Sequence, residues 1–204
     1  DQMAEVLLQE RVTEIGGKKS EQGYLVQPKA TQATLKDIEK PDVTKEELYS
    51  LLHLFEDGKT FGSLLTVHDG LKGALPRLEK LVTKALQASD MESRRWAEAL
   101  RPLVKQTRLL AALYDFVVAN APYMGSEKLI PKLKAYAKDE YPDSKSDLFA
   151  MFMERGFDMV KEDQFNAMVT MQSWMFLSSY EKLRLRLLKE ATIDCMVHMA
   201  NMVM

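Results

Sequence analysis

The stretch Phe157–Met204, FDMVKEDQFNAMVTMQSWMFLSSYEKLRLRLLKEATIDCMVHMANMVM, runs for 48 residues without a glycine or a proline. Those two residues interrupt helices most often, so the run reads as one long helix or two stacked ones, up to about 70 Å at ~1.5 Å per residue. It also carries eight of the thirteen methionines, with Met151 and Met153 just upstream. Methionine is unbranched and polarizable and fills irregular apolar surfaces, so a methionine-dense helix serves as an adaptable core or as a docking face. At helical spacing Phe165, Val169, Phe176, Tyr180, Leu183 and Leu187 share one stripe, while Met168, Met171, Trp174, Met175 and Met196 populate others. A helix apolar on several faces has to be covered, either inside its own bundle or by another molecule. Because the sequence ends on Met202-Val203-Met204, the expectation carried forward is a partner-binding surface of Met168, Met171, Trp174, Met175, Met196, Met199 and Met202.

Working outward, the rest of the chain also reads as helical. Residues 1–43 suggest a first helix closed by Gly16-Gly17, then an extended arm around Tyr24-Leu25-Val26 and Pro28. Thr44 and Glu47 have the spacing of a capping box, which opens a helix toward Gly58. Leu64, Leu65, His68, Leu71, Leu75, Leu78, Val82 and Leu86 recur every three or four residues, with Gly70, Gly73 and Pro76 marking a break or kink. Ser89 and Glu92 suggest a second capping box for a helix running to about Asn120, terminated by Pro122 and Gly125. Shorter helices follow from Ser126, interrupted by Pro131, and from Ser144 or Ser146 to Gly156. With no sustained alternation of strand type, the expected fold is all-α: a bundle of roughly six or seven helices over residues 44–204, preceded by the helix and arm of 1–43.

Composition narrows the function. At 204 residues, 46% hydrophobic and 28% charged, the chain has the makings of a folded domain rather than a disordered one. The formal net charge of −2 excludes a whole-molecule field that recruits nucleic acid. Locally the balance differs, since Met91–Asp139 holds nine Lys and Arg against five Asp and Glu. Arg94, Arg101, Lys105 and Arg108 fall within a sector of about 60° of one helix, a stripe suited to an anionic partner, with nucleic acid only weakly supported. No run of about 18 apolar residues is available to span a membrane. The compartment stays open, and the start at Asp1 fits either removal of a targeting segment or a sequence boundary.

Catalytic groups are sparse. Three histidines are present, and His53 and His68 sit at apolar helical positions where a core or boundary role is the ordinary one. Asp194, Cys195 and His198, three and four apart, are neighbours on a helix, but one cysteine and one histidine leave a metal short of ligands. Catalytic, cofactor and metal residues are therefore expected to be absent. The expected function is a non-catalytic helical subunit or adaptor docking into a larger assembly, with a protein partner or a second copy. The alternatives are a bundle holding a lipid or haem, and a self-assembling coat protein with its basic stripe toward nucleic acid.

Overall fold

The computed structural model describes residues 43–199, so all but the last residue of the helix and arm expected over 1–43, and the methionine at 202, lie outside the described residues. The described residues divide into two compact units, one of 43–58 with 66–111 and one of 59–65 with 112–199.

The first unit is a helical assembly of α1 (Lys45–Leu54), α2 (Asp69–Leu86) and α3 (Met91–Ala111). The capping box opens α1 as expected, with Glu47 N donating to Thr44 Oγ1 at 3.2 Å and Thr44 N to Glu47 Oε2 at 3.0 Å. His68 is not on an apolar face; it caps α2, its Nδ1 accepting from Leu71 N at 3.2 Å. The helix then passes Pro76 without ending. Asp90 rather than Ser89 starts α3, accepting from Ser93 N at 2.7 Å. Leu48, Leu51, Leu71, Leu78, Leu100 and Val104 meet in the core of this unit.

The second unit overturns the all-α expectation. The helix foreseen to Asn120 stops at Ala111, and Tyr114-Asp-Phe-Val-Val-Ala-Asn forms a strand, β1 (Tyr114–Asn120). Its aromatic and β-branched residues favour extended backbone. The long C-terminal helix is likewise absent: β2 (Val160–Val169) pairs with β1 in parallel, aligning Phe116 with Phe165 and Asn120 with Val169. Lack of glycine and proline permits a helix but does not compel one. Once β1 offers unpaired backbone groups, Val160, Phe165 and Val169 gain more from pairing than from helical bonds. Beyond β2 come one turn of helix at Ser173–Phe176 and a ten-residue helix at Glu181–Glu190, after which residues 191–199 have no regular structure.

Parallel strands need a crossover, and here it carries α4 (Pro131–Glu140) and α5 (Leu148–Met159). Pro131 begins α4 instead of interrupting a helix, because the first turn needs no N–H from it. The centre of the unit is α5. Phe149, Ala150 and Met153 meet Tyr180, Leu183 and Leu187 of the following segments, the last two on α6 (Glu181–Glu190). On its other side Met151 packs with Leu64, Leu133 and Tyr141. Gly156 lets α5 lie close to β2, since a Cβ there would strike the Met168 methyl and come within 2.7 Å of Asn166 Nδ2.

Glu154 is the buried carboxylate of α5. Ser144 Oγ donates to it at 2.6 Å and Arg186 Nη1 of α6 at 2.9 Å, and Arg186 also reaches Asp158 at 3.4 Å and Glu190 at 2.9 Å. Burial pushes the Glu154 carboxyl above the usual glutamate range, while the bonds from Ser144 and Arg186 pull it back only in part. A raised folded-state value means that the folded chain holds the proton more tightly than the unfolded one. The stability this supplies is fully present below the ordinary glutamate range and is lost as pH rises through the raised value. Glu154→Gln removes that titration. In urea unfolding at a series of pH values, the wild-type midpoint is therefore expected to fall relative to the Gln variant as pH climbs through and just above the glutamate range. Parallel profiles for the two proteins would contradict it.

Candidate active site

Because β1 and β2 are parallel, their carboxyl ends lie together, with Asn120 aligned to Val169. In open parallel sheets ligands bind just beyond such ends, where loops leave the strands and backbone groups are free. The loop leaving β1 begins Asn120-Ala121-Pro122-Tyr123. Ala121 is buried in the cluster around Phe149 and Tyr180 and anchors the loop from below. Asn120, Pro122 and Tyr123 are exposed above it. Pro122 fixes its own φ and restricts Ala121 before it, which stiffens the backbone between Asn120 and Tyr123.

The N-terminus of α5 shapes the rest of the loop. Met124 N donates to Asp147 Oδ1 at 2.9 Å, Leu148 N to Met124 O at 3.0 Å, and Ser126 N to Ser146 O at 2.9 Å. The Tyr123 ring stands edge-on to Phe149, with centroids 6.0 Å apart at 86°. The result is a carboxamide and an aromatic ring three residues apart on one supported turn. A carboxamide has an acceptor and two donors in one plane, and the ring supplies a π-face, which together suit a planar heterocycle with an amino group on its edge.

The residues singled out from the sequence are not gathered here. Arg94, Arg101, Lys105 and Arg108 are all exposed along α3 in the first unit, Arg108 lying 3.6 Å from Glu79. The methionines do not share a helical face: Met168 lies on β2 against the α5 cluster, and Trp174, packed against the same cluster, donates to Thr170 Oγ1 at 3.1 Å. Met175 is half-buried in the one-turn helix, Met171 is exposed in the turn before it, and Met196 and Met199 are exposed beyond α6. Cys195 and His198 lie on non-helical chain, so their spacing has no helical meaning, and His198 Nε2 meets Gln172 Oε1 at 2.5 Å. Among the described residues no three His, Cys, Asp or Glu side chains converge as a metal site. A shallow recess bounded by Glu154, Phe157, Leu183 and Arg186 is not lined by any residue of the Asn120 loop.

Residues 33–203 match the family model described as Eco57I restriction-modification methylase. The chain belongs to this family. It is 48% identical over 153 residues to the adenine-specific methyltransferase BrxX of Escherichia coli O9:H4 (strain HS), which covers 74% of this chain and 13% of that protein. It is 35% identical over 172 residues to the adenine-specific methyltransferase PglX of Lacticaseibacillus casei (strain Zhang), covering 78% of this chain and 14% of that protein. The chain thus spans about one-seventh of the length of these two relatives. Membership in a methylase family overturns the expectation of a non-catalytic subunit or adaptor, and with it the alternatives of a lipid or haem carrier and a coat protein. No helix of the described residues is long and apolar enough to cross a membrane.

The sequence reading does not single out Asn120 and Tyr123, the candidate residues of this loop. By themselves Pro122 and Gly125 read as terminators of a helix, which hides the loop they belong to. The available signal was the seven-residue aromatic and β-branched run immediately before it, which reads as a strand and turns Asn-Ala-Pro-Tyr into a strand-end loop.

Proposed function

We propose that this chain contributes the base-holding corner of a DNA adenine methyltransferase, with Asn120 and Tyr123 receiving the adenine. The observation that carries the reading is their position: an exposed carboxamide and aromatic ring on a supported loop at the carboxyl end of a parallel strand. A methyltransferase cannot reach a base inside a duplex, so the target swings out and is read on its Watson–Crick edge while stacking on an aromatic ring. Adenine presents an amino donor beside a ring-nitrogen acceptor. Asn120 Oδ1 accepts from the N6 amine and its Nδ2 donates to the neighbouring ring nitrogen, while Tyr123 lies against the base plane. Held this way, N6 turns its lone pair out of conjugation toward the methyl carbon of an activated donor that enters as co-substrate. The N6–carbon bond forms as the donor's bond to the methyl group breaks, and the amine sheds one proton to water. Positioning supplies most of the acceleration.

The exposed stripe of Arg94, Arg101, Lys105 and Arg108 fits the same reading as a contact to the DNA backbone, four cations spread along about 21 Å of helix at 1.5 Å per residue. Backbone contacts position without reading sequence and betray themselves by salt dependence. The test uses the full-length protein, wild type and with Arg101→Glu and Lys105→Glu together, in transfer of a labelled methyl group to duplex DNA across a salt series. Label is expected at adenine N6. The double variant is expected to bind DNA with a salt slope shallower by about two, at unchanged folding stability. Label at cytosine or in no base at all would overturn the methylation reading. An unchanged slope in an active protein would remove the stripe from it.

A further inference from the structure

We infer that Asp147 is a positioning residue for this reaction, acting through the loop that carries Asn120 and Tyr123; the inference rests on the methylation reading above. Asp147 is the N-cap of α5, and one oxygen, Oδ1, accepts both Phe149 N of its own helix at 3.3 Å and Met124 N of the loop at 2.9 Å. A single carboxylate oxygen therefore ties the strand-end loop to the first turn of α5. Its neighbours complete the same grip. Ser146 O accepts from Ser126 N, Leu148 N donates to Met124 O, and Phe149 sets the tilt of the Tyr123 ring. Asn120 is held on one side by the ladder opposite Val169, but both Asn120 and Tyr123 are exposed, and the clamp one residue beyond Tyr123 fixes the other end of the turn that carries them. An ordinary helix cap needs only the first of the two bonds, to its own helix. The second bond, to a segment 23 residues earlier, is what a positioning role requires.

The two roles come apart by substitution. Asparagine keeps an oxygen at the Oδ1 position and is as good a cap as aspartate, so Asp147→Asn retains both bonds. Serine caps equally well but is one atom shorter, so Asp147→Ser keeps the helix cap and lets go of Met124 N. The experiment measures, in the full-length protein, kcat and KM for methylation of duplex DNA, the fluorescence rise of a 2-aminopurine placed at the target position, and the thermal midpoint. The expected result is a kcat about 10- to 100-fold lower in Asp147→Ser, at near-wild-type KM and thermal midpoint, the scale of misplacing a reacting group by about an ångström. The 2-aminopurine signal is expected to be smaller in that variant, and Asp147→Asn to recover kcat to within about threefold. Three outcomes would overturn the clamp: wild-type kcat and fluorescence in Asp147→Ser, a loss confined to the thermal midpoint, or an Asn variant as impaired as the Ser one. If wild type itself leaves adenine N6 unmethylated, the methylation reading falls and the clamp falls with it, whereas a methylating wild type beside an equally active Asp147→Ser sinks the clamp alone.

Discussion

Asn120→Ala is expected to lower kcat for adenine methylation by about 100- to 1,000-fold, the scale seen when one preorganised hydrogen-bonding group at a reacting centre is removed. The reason is specific to the position. Asn120 ends β1, its backbone tied into the ladder opposite Val169, so its carboxamide is offered from a fixed point rather than from a wandering loop. Alanine keeps the backbone and deletes both the acceptor for N6 and the donor to the ring nitrogen. Asn120→Asp is the sharper variant, since it keeps an acceptor but cannot donate, and it should fall between wild type and alanine. Tyr123→Ala should act differently, removing a stacking contact of about 1–3 kcal/mol and so raising KM more than it lowers kcat, while Tyr123→Phe keeps the ring and most of the activity. Steady-state kinetics of the full-length protein on duplex DNA separates these cases. An Asn120→Ala protein with wild-type kcat would end the assignment.

The largest loss of stability is expected from Tyr141→Ala, about 3–5 kcal/mol in urea unfolding. Tyr141 is only 1% exposed and packs in the cluster that joins Met151 of α5 to Leu133 and Ala137 of α4 and to Leu64. Its hydroxyl donates to Leu64 O at 2.6 Å, and burial holds the phenol strongly in its neutral form. Alanine leaves a cavity of most of a ring on top of the lost hydrogen bond. Tyr141→Phe should cost only about 1 kcal/mol, because Leu64 O still accepts from Tyr136 Oη at 3.0 Å and is not left unpaired. If the Phe variant proves as unstable as the Ala variant, packing is not the source of the stability.

The first unit was largely legible in the sequence. Thr44 with Glu47, and the three-and-four recurrence of Leu71, Leu78 and Val82, are local signals, and the structure uses them as local signals. The structure departs from the local signals where adjacent residues compete for the same free amides, Asp90 capping α3 in place of Ser89, and at helix ends, α2 starting at Asp69 and α3 stopping at Ala111. The second unit was not legible in this way. Residues 114–120 and 160–169 read locally as parts of neighbouring helices, because strand formation depends on a partner that sits more than forty residues away in the chain. The candidate site vanished with β1, since Asn-Ala-Pro-Tyr acquires its meaning only as the turn that follows a strand.

What the sequence determined by itself was therefore the local signals of the first unit: the Thr44–Glu47 capping box, the three-and-four recurrence along α2, and the exposed basic face of α3. What the tertiary structure decided was the parallel pairing of β1 with β2, the burial of α5 beside them, and the gathering of Asn120, Tyr123 and Asp147 from positions up to 27 residues apart at one strand end. The physical reason is that a helix satisfies its own backbone, so its signal is carried by the residues that form it. A strand leaves every donor and acceptor open until another segment arrives, and where that segment comes from is a property of the folded chain.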